Sequence, residues 1–237
     1  MATISESLKK KPLNIAKNFF EKTLWSENKP VVGIDEVGRG CLAGPLVTAA
    51  VILPIGKVKR ILKDSKLLDK KEREDAYVWI INNCYYQIGI VHHRLIDQHN
   101  IWHATIIAMK RALIQLISSN CIKPGAILVD AMPLTIEDLG LAQIPVYYFN
   151  KGESKSSSIA AASIIAKVTR DRLMHSYEMA IPGYHFTKHK GYATKIHKNC
   201  LKTLRPSIIH RQTFLRSLVK TEDLDDQNNQ QSLCRNS

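Results

Sequence analysis

A short apolar run at residues 31–34 leads directly into two adjacent carboxylates, Asp35 and Glu36, and then into a glycine-flanked arginine at residues 38–40. Such a run before glycines predicts a buried strand that leaves through a tight turn. Because successive strand residues point to opposite faces, both carboxylates can serve one site only if the strand ends or kinks there. Buried carboxylates repel each other and lose hydration, and a bound cation offsets that cost. The stretch therefore indicates a cation site, with a helix cap or a surface ion pair as the alternative.

The remaining apolar runs predict an α/β fold built on a mixed sheet. Three closely spaced runs at residues 31–37, 46–53 and 84–91 are typical of an antiparallel meander. Two later runs, at 126–129 and 146–149, alternate with helical patterns, which is typical of crossover connections. Helices are expected at residues 69–82, 101–117 and 158–178. The order of these elements predicts helices on both faces of the sheet.

The charge balance predicts a polyanionic partner. The 237-residue chain carries 34 Lys and Arg against 21 Asp and Glu, a net charge of +13. Residues 182–220 contain nine lysines and arginines and no acid, with Tyr184, Phe186, Tyr192 and Phe214 interleaved. Cations for phosphates and aromatic rings for sugars or bases form a nucleic-acid surface pattern, and a soluble helical appendage is the alternative. No apolar run approaches membrane-spanning length, so nucleic acid is favoured over a membrane surface.

Composition divides the chain into four parts. Residues 1–30 are a lysine-rich lead-in that is expected to be partly helical, and residues 31–181 are expected to form the main domain. Residues 182–220 are a basic helical extension, and the polar residues 221–237 are predicted to be a disordered tail. The five cysteines form no CxxC pair and are expected to be reduced thiols of a cytoplasmic protein.

One more acidic residue is a candidate for the same site because of its position in the sequence. Asp130 ends the run at 126–129, and the carboxyl ends of strands are where sites assemble in doubly wound sheets. Taken alone, Asp130 fits equally well as a turn residue before Pro133.

These segments resemble, in the same order along the chain, the motifs of bacterial ribonuclease HII. Residues 33–45, GIDEVGRGCLAGP, resemble the first motif, and the segments around Asp130, around Glu153 and at 191–194 resemble later ones. The resemblance spans residues 31–214. It implies a ribonuclease H-like mixed five-stranded sheet flanked by helices, with a C-terminal helical extension, and makes residues 31–181 the catalytic domain.

The resemblance also implies an activity. Ribonuclease HII enzymes cut the RNA strand of RNA–DNA hybrids and single ribonucleotides embedded in duplex DNA, leaving a 5′-phosphate and a 3′-hydroxyl. Catalysis and metal binding would then belong to Asp35, Glu36, Asp130 and Glu153. The family usually has an aspartate, one methylene shorter, at the last position, and helix capping is the alternative interpretation of Glu153. Four carboxylates offer hard oxygen ligands, which suit two Mg²⁺ or Mn²⁺ ions rather than zinc.

Substrate contacts follow from the same resemblance. Gly38, Arg39 and Gly40 form a turn whose glycines allow close backbone approach, and in the family this turn reads the 2′-hydroxyl that separates RNA from DNA. Lys66 matches a lysine of a family segment that touches the substrate phosphate. Tyr192 matches a tyrosine that stacks on the sugar following the scissile bond.

A competing metal site is a zinc centre at His185, His189, His197 and Cys200, whose spacings loosely resemble those of zinc ligands. Lysines lie between these residues and no CxxC pair is present, so the carboxylate site is favoured. No GxxxxGK[ST], GxSxG or HExxH motif occurs, which argues against ATP or GTP use and against the hydrolases that carry those motifs.

Two alternatives stay open beside ribonuclease HII. One is another divalent-metal nuclease on the same fold, and the other is a catalytically weak or inactive hybrid-binding protein. The expected partners are RNA–DNA hybrids and ribonucleotide-containing DNA, with no membrane. The protein is expected to be a monomer located in the cytoplasm.

Overall fold

The computed structural model describes residues 16–57, 62 and 68–216 and builds them around a five-stranded mixed sheet. The strands are β1 (Val31–Val37), β2 (Leu46–Ile52), β3 (Tyr85–Val91), β4 (Ala126–Asp130) and β5 (Val146–Phe149). Their spatial order is β3-β2-β1-β4-β5. The first three form an antiparallel meander, β4 runs parallel to β1, and β5 runs parallel to β4. The predicted mixed sheet, its meander and its crossovers are confirmed.

Helices flank the sheet on both faces. They are α1 (Phe19–Ser26), α2 (Lys70–Asn83), α3 (His93–Asn120), α4 (Ser157–Ala180), α5 (Phe186–His189) and α6 (Lys195–Leu204). Helix α3 begins before the predicted residue 101 because it contains two helical segments separated at Asn100, whose φ of 63° is left-handed. The Asn100 side-chain oxygen accepts the N–H groups of Trp102 and His103 and so caps the second segment, which starts where the apolar pattern starts. None of the described helices is long and apolar enough to cross a membrane.

Alternate residues of β1 face two different helical layers. Val32 and Ile34 pack in one cluster with α3 residues such as Met109. On the opposite face, α4 approaches β1 so closely that a Cβ on Gly33 would lie 2.1 Å from the carbonyl carbon of Ser158. The glycine at this position therefore allows α4 to lie directly against the strand that carries the first acidic pair.

The lead-in packs against the main domain through α1. Phe20 contacts the apolar cluster next to β5. The buried carboxylate of Glu21 accepts hydrogen bonds from the Ser156 hydroxyl and the Ser158 N–H at the start of α4. A negative charge is favourable at the N-terminus of a helix, so α1 stabilises the first turn of α4.

The basic extension folds back onto residues 38–45, which follow β1. Cys41 pairs with Tyr192 in an isolated antiparallel bridge, and Ala43 pairs with His210 in another. The residues after β1 are thus held between two segments of the extension. The extension lies far from β1 in sequence, but these two bridges make it contribute directly to the shape of the turn that leaves β1.

Part of the basic and aromatic pattern of the extension belongs to the core. Tyr184 and Phe186 are 6% and 0% exposed, and their rings stack on each other. Arg211 is also fully buried. The prediction that these side chains line a nucleic-acid surface is therefore wrong, because they stabilise the junction between the extension and the main domain. Tyr192, in contrast, is accessible.

Candidate metal centre and substrate turn

Three acidic side chains meet at the carboxyl ends of the parallel strands. The register of β1 against β4 places Asp35 beside Asp130. Asp130 pairs with the last residue of β5, and the chain beyond β5 turns back through the 3₁₀ segment Gly152–Ser154, which carries Glu153. One carboxylate oxygen from each of Asp35, Asp130 and Glu153 lies within 4.8 Å of the other two. The structure therefore brings together three of the four acidic residues that the sequence singled out.

Hydrogen bonds fix the Asp130 and Glu153 side chains. The Gly152 N–H donates to Asp130 Oδ1 at 2.6 Å, and the preceding Lys151 has a left-handed φ of 59°. The Ser163 hydroxyl on α4 donates to Glu153 Oε1 at 3.4 Å. Sequence reasoning missed Ser163, whose one signal is its position among the small residues 160–163 of the helix predicted at 158–178.

Burial raises the pKa of Asp35 well above its usual value, and the carboxylates of Glu36 and Asp130 raise it further. A hydrogen bond from Ser163 opposes the shift, while Glu153 adds to it. A raised carboxyl pKa means that the folded state binds the proton more tightly than the unfolded state. The ionised form of Asp35 therefore costs folding free energy at neutral pH, and a bound divalent cation would offset that cost.

Glu36 does not belong to this group of ligand atoms. Strand β1 stays in register with β2 through Val37, so it neither ends nor kinks at the two carboxylates. Glu36 therefore lies on the opposite face of the strand from Asp35. Its N–H donates to Asp35 Oδ1 at 2.7 Å, and its Oε1 lies 3.5 Å from Arg39 Nη1. The structure makes Glu36 a neighbour of the three clustered carboxylates that also contacts the glycine-rich turn.

The two glycines of the Gly38-Arg39-Gly40 turn have different environments. Gly38 has a φ of +96°, and a Cβ there would lie 2.2 Å from Arg170 Nε, so packing inside the protein requires glycine. A Cβ on Gly40 would meet no atom within 4 Å. Gly40 therefore supplies the open backbone expected of a turn that a ligand approaches closely.

Tyr192 lies beside this turn. Its backbone pairs with Cys41, its residue is 39% exposed, and the Arg170 guanidinium carbon lies 5.8 Å from its ring centroid. The structure thus places the predicted sugar-stacking residue next to the predicted hydroxyl-reading turn. Lys66, the predicted phosphate contact, lies outside the described residues.

The histidines of the competing zinc site form no metal centre. Within the described part of the chain, the one group of three clustered metal-ligating side chains is Asp35, Asp130 and Glu153. His185 is exposed, whereas His189 and His197 are buried and stack on each other with ring centroids 4.2 Å apart. The zinc interpretation is therefore not supported.

The buried histidines instead form a hydrogen-bonded relay that ends at the Tyr192 backbone. The Ser207 N–H donates to His210 Nδ1, so a neutral His210 carries its proton on Nε2 and donates to His197 Nε2 at 2.9 Å. His197 Nδ1 then donates to the Tyr192 carbonyl, also at 2.9 Å. Burial lowers the pKa of His197 and that of His210 to about 4 each, so both imidazoles are neutral at neutral pH.

Solved structures identify the class of protein. The chain is similar to the crystal structure of ribonuclease H2 from Pyrococcus horikoshii, with a TM-score of 0.63 and 26% identity over 81% of this chain and 98% of that one. A mixed five-stranded sheet with an acidic group at the carboxyl ends of its parallel strands defines a ribonuclease H-like nuclease.

Sequence comparison narrows this class to one family. The sequence profile described as Ribonuclease HII matches residues 32–219. Ribonuclease HII of Pseudothermotoga lettingae is 43% identical over 203 residues, which cover 84% of this chain and 85% of that protein. Ribonuclease HII of Ligilactobacillus salivarius is 46% identical over 196 residues, which cover 82% and 73% of the two chains. The chain belongs to the ribonuclease HII family, so it is an endonuclease with ribonuclease H activity, and the resemblance found in the motifs is confirmed.

Proposed function

We propose that the protein cuts the RNA strand of RNA–DNA hybrids and single ribonucleotides embedded in duplex DNA. The proposed reaction is a divalent-metal-assisted hydrolysis of the phosphodiester that leaves a 5′-phosphate and a 3′-hydroxyl. The observation that carries the proposal is the group formed by Asp35, Asp130 and Glu153, whose oxygens lie within 4.8 Å of one another. Membership of the ribonuclease HII family supports the same reaction.

The acidic group fits Mg²⁺ or Mn²⁺, because closely spaced carboxylate oxygens are the hard ligands that these ions prefer. Two such ions, when bound, supply an activated water for in-line attack and neutralise the leaving oxygen. The chain's own residues keep the carboxylates fixed: the Gly152 N–H orients Asp130, and the Ser163 hydroxyl orients Glu153. Glu36, whose charge lies close enough to raise the pKa of Asp35, is proposed as the fourth ligand.

Recognition of the ribonucleotide is proposed to occur at the turn and at Tyr192. The open space at Gly40 allows the backbone to approach the 2′-hydroxyl, the group that distinguishes RNA from DNA. The accessible ring of Tyr192, beside the turn, is suited to stack on the sugar after the scissile bond.

Exposed cations of the extension are proposed to bind the duplex backbone. Lys188, Lys195, Lys202 and Arg205 are all exposed, and the extension carries no acid to oppose them. Phosphate contacts of this kind supply sequence-independent affinity that weakens as salt concentration rises. They therefore suit an enzyme that acts on duplexes regardless of base sequence.

Strand cleavage of matched duplexes tests this proposal. End-labelled duplexes of one base sequence, as RNA–DNA hybrid, as DNA with one ribonucleotide and as plain DNA, are incubated with Mg²⁺, with Mn²⁺ or with chelator. We expect cleavage of the first two only, in metal only, with 5′-phosphate and 3′-hydroxyl products. Cleavage of plain DNA would instead indicate another nuclease on this fold, and binding without turnover in either metal would indicate a hybrid-binding protein.

We also propose that the protein acts as a monomer in the cytoplasm and engages no membrane. One chain contributes all of the clustered carboxylates and the adjacent turn, so no second subunit is needed to complete the site. Light scattering at the concentration used for the cleavage assay should return the mass of one 26.8 kDa chain.

A further inference from the structure

Two fully buried arginines lie behind the substrate turn. Arg170 of α4 and Arg211 of the extension are both 0% exposed, and neither forms an ion pair with a carboxylate of the described residues. A buried guanidinium loses its hydration, which carries a large free-energy cost unless its donors are satisfied. Both arginines satisfy their donors with backbone carbonyl oxygens alone.

The two arginines form hydrogen bonds with different carbonyl groups of residues 38–45. Arg211 Nη2 donates to the Gly38 carbonyl at 2.7 Å, Arg211 Nη1 donates to the Arg39 carbonyl at 2.8 Å, and the same guanidinium also bonds the Gly44 carbonyl. Arg170 donates to the carbonyls of Ala43 and Pro45, which follow the turn in sequence, and to the carbonyl of Lys190 on the extension. Five carbonyl groups between residues 38 and 45 therefore point toward the two buried guanidinium groups.

This arrangement fixes where the N–H groups of the turn point. In a planar trans peptide the C=O of one residue and the N–H of the next point in opposite directions, and no described peptide bond is cis. Since the Gly38 and Arg39 carbonyls point toward Arg211, the N–H groups of Arg39 and Gly40 point away from it. Neither N–H has a hydrogen-bond acceptor among the described residues. Two donors are therefore presented at the turn, next to the open space at Gly40.

We propose that Arg211, supported by Arg170, is a positioning residue that orients the Arg39 and Gly40 N–H groups toward oxygen atoms of the substrate ribonucleotide. The proposal rests on the proposed function, because it concerns how the turn distinguishes a ribonucleotide from a deoxyribonucleotide. Lysine cannot replace Arg211 in this role, because a single ammonium group lacks the planar fork that bonds three carbonyls at once.

The first test is the binding preference of an Arg211→Lys variant. Affinities for a DNA duplex with one ribonucleotide and for the same duplex in plain DNA are measured in chelator, so that no cleavage occurs. We expect the variant to lose about tenfold of the preference for the ribonucleotide, as when one or two hydrogen bonds are lost, with plain-DNA affinity changed less than about twofold. A folded Arg211→Lys variant that keeps the wild-type preference would overturn the proposal.

Controls separate positioning from general damage. Circular dichroism and Mn²⁺ affinity of Arg211→Lys should match the wild type, since the acidic group is formed by other elements. Arg172→Lys on α4, whose exposed side chain pairs with Glu74, should keep the ribonucleotide preference and cleavage rate. If the wild type itself neither cuts nor prefers the ribonucleotide duplex, the proposed function fails, whatever the variants do.

A second test uses the wild-type protein in case Arg211→Lys does not fold. Amide NMR signals of Arg39 and Gly40 are followed while each duplex is added, with Gly40→Ala used for assignment because a Cβ there meets no described atom. Both signals should shift with the ribonucleotide duplex more than with plain DNA. Equal shifts with the two duplexes would overturn the proposal.

Discussion

The acidic group at the strand ends and the arginine pair behind the turn are both buried, but they hold their charges in opposite ways. Asp35, Asp130 and Glu153 concentrate like charge, and burial with this repulsion raises the pKa of Asp35. Arg170 and Arg211 donate to backbone carbonyls from each of their three guanidinium nitrogens. Burial lowers the pKa of Arg211 only to about 10, so it stays charged at neutral pH.

This difference separates a site that needs a ligand from a structure that is complete without one. The clustered negative charge lowers the stability of the metal-free protein, and the same charge favours cation binding, a combination that is typical of functional sites. The arginine pair instead stabilises one conformation of the turn. One region is therefore proposed to perform the chemistry, and the other fixes the backbone that is proposed to recognise the substrate.

The largest effect is expected from Asp35→Asn. The amide keeps the size of the side chain but removes a charged ligand, so the cleavage rate should fall at least about a hundredfold, with hybrid binding largely retained. The same change removes a destabilising buried charge, so the melting temperature of the metal-free protein should rise. Added Mn²⁺ should then stabilise the wild type but not the variant, as followed by thermal unfolding.

Asp138→Asn is the matched control, because Asp138 is exposed and pairs with Lys110 away from the sheet edge. It should leave cleavage unchanged. Near-normal turnover by Asp35→Asn at saturating Mg²⁺ would contradict the metal assignment, and an unchanged melting temperature would contradict the view that the site stores electrostatic repulsion.

The next effect tests whether the acidic group has adapted to glutamate. The backbone at Glu153 is held by the Gly152 N–H bond to Asp130, so Glu153→Asp should withdraw the carboxylate by about 1.5 Å, one C–C bond. Because Mg²⁺ tolerates misplaced ligands poorly, we expect about ten- to a hundredfold slower cleavage in Mg²⁺ and a smaller loss in Mn²⁺. Cleavage rates in each metal measure this.

Glu27→Asp, at an exposed glutamate paired with Lys29, is the control for that substitution and should be silent. Wild-type activity of Glu153→Asp in Mg²⁺ would show that the segment adjusts its backbone. Full activity of Glu153→Gln would remove this residue from the site altogether.

The sequence predicted the sheet and most of the acidic group because both depend on local patterns. Apolar runs marked β1 to β5, and Asp35 and Asp130 follow two of these runs, whereas Glu153 was identified by the motif resemblance. What escaped prediction depends on contacts between distant segments. Arg211 reads as one more cation of a basic stretch, and only the fold shows that it bonds carbonyls 167 to 173 residues away.

Strand register explains why Glu36, predicted to share a site with Asp35, lies outside the group of clustered carboxylates. The two carboxylates could serve one site only if the strand ended or kinked at them, which the glycines at 38 and 40 would allow. In the structure, pairing with β2 continues through Val37, and the first glycine turns the chain only beyond it. Whether a strand kinks at a given residue depends on its pairing with the partner strand, which the local sequence does not specify.

A smaller effect is expected at the turn, where Tyr192→Ala should change selectivity. Its ring is proposed to stack on a deoxyribose after the cut, as in DNA with one ribonucleotide. In a long hybrid that sugar is a ribose, whose hydroxyl disturbs the contact. Stacking is worth roughly 1–3 kcal/mol, so the ratio of the two cleavage rates should shift by about fivefold or more. Tyr85→Ala, at an exposed tyrosine on the edge strand β3, should leave the ratio unchanged. Equal losses on both substrates would make Tyr192 a packing residue.

The smallest effect concerns the histidine relay, which holds neutral groups where the other two regions hold charges. Burial lowers the pKa of His197 to about 4, so below its usual pKa of about 6.5 the unfolded state binds a proton that the folded state does not. Its contribution to stability is therefore full above that value and is lost as the pH falls toward 4. Between pH 7 and pH 5 the loss should be about 1–2 kcal/mol per histidine.

Urea unfolding of wild type and His197→Gln at pH 7 and pH 5 measures this contribution. Glutamine can still accept the bond from His210 but has no titrating ring, so the variant should lose less stability on acidification than the wild type. Protonation of Asp35 acts in the opposite direction, since its raised pKa stabilises the folded state at low pH, but it is common to both proteins and cancels in the difference. His99→Gln, at an exposed histidine, should follow the wild-type pH dependence. If His197→Gln also follows the wild-type pH dependence, His197 is protonated in the folded state and does not act as a neutral donor to the Tyr192 carbonyl.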